Sequence, residues 1–329
     1  VSLREITEPV SLCDEAGRLN ADAVGWSRRP LHTANLKGRG RKKRWEYWAI
    51  SSPMLVLAVT VSDLDYAALY AVYFLAADGT EKVISKLVPF GRVGLPETSG
   101  SAPVSVRVKD LAIDLLPEPG GTYLRIVSPD LAADVRIERP EGHEALGVVV
   151  PWSPRRFQYT VKENTLPARG HVETGGLSYV FGADAWATLD HGRGAWPYRV
   201  TWNWGAGSGI VEGRTVGVQV GGKWTDGTGS TENALCVDGR LHYIDEDLAW
   251  EYDRDDWLRT WRVTTTSSDR VDLAFTPRHV RTDRMNLGVL ANDTHQAFGT
   301  WAGTMTDEGG TPVRVDGILG WAEEVVNRW

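Results

Sequence analysis

Val104, Val106 and Val108 are separated by Ser105, Arg107 and Lys109, and the same alternation returns along the whole chain. Phe157, Tyr159 and Val161 alternate with Gln158, Thr160 and Lys162, and Val216, Val218 and Val220 with Gly217 and Gln219. Val271, Leu273 and Phe275 alternate with Asp272, Ala274 and Thr276. Successive side chains of an extended strand point to opposite faces. Each stretch therefore presents one apolar and one polar face, as a half-buried antiparallel strand does. Turn residues punctuate the pattern at 77–80, 117–121 and 307–311. Residues 236–244 read as a hairpin with Asp238-Gly239 at its tight turn. Residues 64–76 have a composition that a helix accepts, but 69–88 reads better as two strands around a turn. The last stretch, 320–329, fits a strand or a short helix equally well. An all-β chain follows, with few helices. So many strands in one open sheet would leave long exposed edges, and closure into barrels or strongly curved packed sheets removes them. The polar stretch 161–176 carries Pro167, Gly170, Gly175 and Gly176. It predicts a division into an N-terminal β domain, 1–172, and a C-terminal β domain, 173–329.

With 329 residues the chain has room for two such domains. Its net charge is −7, which argues against nucleic acid as a partner. The basic run 37–45 reads as a solvated loop before a strand, or as a place where one Arg or Lys captures an anionic substrate group. Cys13 and Cys236 support neither a disulfide framework nor a zinc site. They fit a reducing compartment, so a cytoplasmic protein is expected. No apolar run approaches the ~18 residues of a membrane span. Residue 1 is Val, which leaves open a targeting segment ahead of it. Residues 217–224 nearly spell a phosphate-binding loop, but Trp224 stands where Ser or Thr is needed and no helical pattern follows. Histidines are scattered among polar neighbours. Neither a metal nor a cofactor is expected.

Trp is abundant, at 15 residues. If 196–204 is a single strand, Trp196, Tyr198, Trp202 and Trp204 share one face and Arg199, Thr201 and Asn203 the other. Four large rings in a row suit either a pocket wall or a core. Just before them, Gly192 and Gly194 predict a bend rather than regular strand, with Asp190, His191 and Arg193 held at the strand end. A carboxyl shielded there by Trp is tuned to give a proton near neutral pH, with His191 orienting it or acting as base. The alternative is a turn in which Asp190 caps backbone N–H groups. The glycine-rich segment 221–235 holds Trp224, Asp226 and Glu232, further candidates for substrate contact. Asp63 and Asp65 lie at an expected strand end and add Asp65 to that set.

The segments 25–32, 40–48, 63–67, 190–205 and 224–235 together resemble an uncharacterised bacterial family, domain-of-unknown-function family 2804, over nearly the whole chain. Asp190-His191 followed by Trp202 and Trp204 is also similar to a signature in paired lipocalin-like barrels, which include carotenoid hydratases, tocopherol cyclases and fungal pericyclases. Arg193 and Gly194 depart from the aromatic-glycine continuation usual there. That resemblance implies two consecutive lipocalin-like antiparallel β-barrels. It also implies a cofactor-free reaction on an apolar substrate, with Asp190 giving a proton to an alkene or a leaving group. Three functions stand at this point. The first is an acid–base hydratase, isomerase, cyclase or lyase using Asp190 and His191, with Arg193 and the aromatic residues contacting substrate. The second is a non-catalytic lipid or terpenoid binder. The third is a carbohydrate-active enzyme in which Asp190 pairs with Glu232 or Asp226 across a sugar bond. Each expects a small molecule, hydrophobic or sugar-like, as the partner.

Overall fold

The computed structural model describes residues 3–329. Among them the only helical turn is a 3-10 turn at Ala21–Ala23, and no helix is long and apolar enough to cross a membrane. The chain forms a 13-stranded sheet and a 10-stranded sheet, both antiparallel along their main order. Along the first sheet the strands follow one another as Glu81–Pro89, Ala67–Ala76, Leu55–Asp63, Lys42–Ser51, Trp186–Ala195, Arg156–Thr174, Ala132–Glu138, Gly121–Val127, Leu111–Glu118 and Val104–Val108. In the second, Arg199–Val211 and Ile318–Arg328 lie at the centre, with Arg214–Gly222 beyond one and Ala291–Thr306 beyond the other. Residues 318–328 are thus strand, which decides the open reading of that stretch. The hairpin at Asp238-Gly239 has φ of 50° and 80°, the two positive values its tight turn requires.

Each sheet curls around its own core. Phe74, near one end of the first sheet's order, shares an apolar cluster with Ile113 near the other end, together with Leu57, Leu124 and Val135. Only strong curvature brings those strands together. Val218, Trp261, Phe275 and Trp301 fill the second core in the same way.

The stretch 161–176 is not a linker. It lies almost entirely within the 19-residue strand Arg156–Thr174, and residues 172 and 173 fall inside that strand. The strand pairs with Leu146–Ser153 over its first half and with Ala132–Glu138 over its second. Between them a register irregularity includes Thr165, whose φ is 60°, so the strand turns a corner there. Its polar residues do not face water. Phe157, Tyr159 and Val161 pack on Leu12, Cys13 and Ala23, while Gln158, Thr160 and Lys162 on the other face are equally buried. Apart from the parallel pair Val10–Ser11 and His32–Thr33, strands up to Ala195 belong to the first sheet and strands from Arg199 onward to the second. The chain therefore crosses from one to the other at residues 196–198.

The two sheets meet through their outer faces. Ala49, Ala58 and Tyr73 of the first pack on Trp204, Ala206, Phe298 and Trp321 of the second. Tyr73 and Phe298 stack with centroids 5.5 Å apart. The alanines keep the faces close at this point. Beside it, larger polar side chains hold them apart and a cavity opens.

Candidate active site

A cavity of about 240 Å³ lies between the sheets. Trp45, Tyr47, Thr160, Lys162 and Asp190 come from the first sheet, and Trp202, Trp204, Arg281, Gln296 and Glu323 from the second. Trp196 comes from the crossing segment, and Trp224 and Glu232 from the segment after Arg214–Gly222. Trp196 is the hub of the aromatic wall, in ring contact with Trp45, Trp152, Trp202, Trp224 and Trp329.

Asp190 sits in mid-strand, flanked by Lys162 on one neighbouring strand and Tyr47 on the other. Two side chains donate to it, the Thr160 hydroxyl to Oδ1 at 2.9 Å and the Trp45 indole to Oδ2 at 3.0 Å, and the Lys162 ammonium lies 3.1 Å from Oδ2 as its ion-pair partner. Gly192 makes the Trp45 contact possible. It lies opposite Trp45, and an added Cβ would overlap the indole ring.

Lys162 lies between two acids. Its ammonium is 3.1 Å from Asp190 and 3.3 Å from Glu232 Oε2, and 3.9 Å above the centre of the Trp204 ring. Burial alone would lower its pKa, but the charges of Asp190 and Glu232 outweigh burial and hold it above its ordinary value. Glu232 Oε1 accepts a hydrogen bond from the Trp224 indole, while buried Oε2 makes none, since the Lys162 ammonium is close but not aligned. Burial pushes the Glu232 carboxyl up to about 7; Lys162 opposes this and Asp190 adds to it. Gly221 leaves the space that the Glu232 side chain fills. Across the cavity, Glu323 accepts from the Trp202 indole and the Gln296 amide, each at 3.0 Å. Burial pushes it up to about 7 as well, against the Trp202 donor and the charges of Lys162 and Arg281. Among the described residues no group of three or more His, Cys, Asp or Glu is arranged to hold a metal ion. Between Asp190 and Glu232, the natural place for a cation is taken by the Lys162 ammonium.

Residues 3–329 match the family described as a domain of unknown function, DUF2804. The chain belongs to that family. Among solved structures, the DUF2804 chain is similar to kievitone hydratase from Nectria haematococca, with a TM-score of 0.54 and 10% identity over 87% of this chain and 88% of that one. It is also similar to CghA bound to Sch210972, with a TM-score of 0.53 and 12% identity over 87% and 88%. At these identities the likeness is one of fold. The sequence has no match among curated proteins.

In this DUF2804 member the residues expected from the sequence separate into two groups. Asp190, Trp196, Trp202, Trp204, Trp224 and Glu232 meet at the cavity. His191, Arg193, Tyr198, Asp226 and Asp65 do not line it. Residues 190–194 form no bend; they lie in the regular strand Trp186–Ala195. Consecutive residues therefore alternate, and His191 and Arg193 point into the first barrel, away from Asp190. There His191 Nδ1 lies 2.7 Å from Glu46 Oε1, and the Arg193 guanidinium bonds the same oxygen at 3.0 Å and the Pro96 carbonyl at 2.7 Å. Burial, reinforced by the Arg193 charge, lowers the His191 pKa against the opposing pull of Glu46. Nor is 196–204 one strand. Pro197 brings no N–H for a ladder, and pairing resumes at Arg199. Tyr198 is 38% exposed and its hydroxyl donates to the Val289 carbonyl. Asp226 accepts from the Lys223 N–H at an exposed turn. Asp65, at φ 73°, is engaged by Arg92, Lys42 and the Gly40 N–H.

Sequence reasoning missed Trp45, Tyr47, Thr160, Lys162, Arg281, Gln296 and Glu323. Thr160 and Lys162 stand on the polar side of an alternation, which does not by itself say what covers that side. Two glutamates together in the apolar run 318–326 were the available signal for Glu323.

Proposed function

We propose that the chain is an enzyme that moves protons, without a cofactor, on a small and largely apolar substrate in the cavity between its sheets. Hydration, isomerisation, cyclisation and elimination are the reactions in its reach. The observation that carries this reading is the pair of carboxyls, Glu232 and Glu323, pushed up to about 7 in a Trp-walled cavity. A carboxyl with a pKa near ambient pH is protonated often enough to act and acidic enough to give the proton up. Asp190 is addressed only by donors, a pattern that serves an acceptor. Glu232 Oε2, free of hydrogen bonds, is the better proton donor. In a hydration, Glu232 gives its proton to one alkene carbon. Water adds to the other carbon and passes a proton to Asp190, and proton exchange through bulk water resets both groups. The indole faces stabilise the positive charge that develops on carbon. A hydratase among the structures of similar fold accords with this reading. The sugar reading is less well supported, because a glycosidase pair needs an open gap between its carboxylates and Lys162 stands in it.

The test is incubation with a mixture of short terpenoid alkenes and alkenols in heavy water, followed by mass spectrometry. The wild type is expected to give products that have gained water or exchanged a carbon-bound proton for deuterium. Glu232→Gln and Asp190→Asn should each lower the rate about 100–10,000-fold. The wild-type rate should also fall as pH rises through about 7, because Glu232 must be protonated to act. Product formation that both variants leave unchanged would overturn the assignment.

A further inference from the structure

Two donors on the cavity wall have no acceptor. The Arg281 side chain is 17% exposed and makes no hydrogen bond among the described residues. Its Cζ lies 4.6 Å from the centre of the Tyr73 ring. The carboxylate beside it, Asp283, is 3.9 Å away, beyond hydrogen-bond reach, and half exposed to solvent. The Tyr47 hydroxyl is buried in the same wall, and its proton has no acceptor there. Burial raises its pKa, so it stays a hydroxyl with a proton to donate, and the Arg281 charge is near enough to act on it. Unmatched donors on a buried wall are costly unless a ligand completes them.

The charges point the same way. Lys162 is matched by Asp190, its partner on the adjacent strand. Glu232 and Glu323 are neutral below about pH 7. That leaves the Arg281 guanidinium as a positive charge facing the cavity, near the Glu323 carboxyl, which is neutral below about pH 7, and the solvent-exposed Asp283 carboxylate.

We propose that the cavity takes a small apolar acid whose carboxylate accepts hydrogen bonds from the Arg281 guanidinium and the Tyr47 hydroxyl, while its hydrocarbon part lies against the Trp wall. The planar fork of a guanidinium matches the two oxygens of a carboxylate. A phosphate monoester would bring a second negative charge with no cation to meet it. This proposal rests on reading the cavity as the substrate site and narrows it to one class of molecule.

Phenylbutyrate and phenylbutanol test it, since they share a skeleton and differ in the terminal group. Their affinities are measured by titration calorimetry at about pH 6, below the titration of both glutamates. The wild type is expected to bind the acid at least about tenfold more tightly than the alcohol. Arg281→Met should remove that preference, weakening the acid at least about tenfold more than the alcohol. Tyr47→Phe, which deletes one oxygen and keeps the ring, should weaken the acid alone by about threefold to tenfold; it keeps the test readable if Arg281→Met does not fold. Equal wild-type affinities, or an Arg281→Met variant that weakens both probes alike, would overturn the anchor and leave the apolar cavity standing. Binding of neither probe would overturn both.

Discussion

Glu46 stands directly across the strand pair from His191, inside the first barrel, and carries the charge that balances Arg193. Burial opposes its ionisation, but His191 and Arg193 hold its pKa below the ordinary value. Glu46→Ala would leave the Arg193 guanidinium buried without its carboxylate. Loss of about 3–5 kcal/mol of stability is expected in urea unfolding, with ligand affinity per folded molecule unchanged. A variant that keeps its stability but loses binding would place this cluster in the active site after all. Of the adjacent pair Asp190-His191, the structure puts the first at the cavity wall and the second on the opposite face of the strand, whereas the expected bend would hold both together. The error came from Gly192 and Gly194, taken as marks of a bend. Gly192 is instead the floor under the Trp45 ring. A glycine that permits a turn and a glycine that makes room for a neighbour look the same until the neighbour is known.

In the strand Arg156–Thr174, period two was legible but the meaning of its polar side was not. Alternation tells which residues share a face and does not say what covers it. Here the second sheet covers the face with Gln158, Thr160 and Lys162. The strand's most consequential residue is Lys162, whose charge lowers the Glu232 pKa against burial. Lys162→Met removes that opposing charge, so the Glu232 carboxyl should titrate above 7, and the rate should hold to higher pH than in the wild type. Carbon-13 spectra of labelled glutamate, recorded against pH, check the shift. A Glu232 titration left in place, or moved down, would refute the role given to the lysine. The strand Val104–Val108 shows the simpler case. Val104 and Val106 are buried while Ser105 and Arg107 are exposed, as alternation alone predicts, because no second layer lies over it.

For the molecule as a whole, the curved all-β architecture followed from the count of alternating segments and the turns between them. The meeting of two sheets face to face did not, because nothing in one strand names its partner in another layer. That meeting buries Glu323, and burial has a thermodynamic consequence. Its carboxyl titrates at about 7 in the folded chain and at its ordinary 4.5 when unfolded. Protonated in both states at low pH, it contributes nothing unfavourable there. As pH rises from about 5 to about 8 the unfolded chain ionises first, and up to about 3 kcal/mol of stability is lost. Glu323→Gln abolishes that slope. The stability of the variant relative to the wild type should therefore climb with pH across this window in paired urea titrations. A constant difference would mean that Glu323 titrates normally. One further property belongs to the way the halves are joined. Among the described residues the only covalent passage between the sheets is the segment 196–198, and its first residue, Trp196, is also the hub of the aromatic wall. Crossing segment and binding surface share Trp196. Any rocking of one barrel on the other deforms the cavity, and an occupied cavity resists the rocking. Amide hydrogen exchange at Tyr198 and Arg199 should slow when phenylbutyrate is bound, so that a small molecule sets the internal mobility of the whole chain.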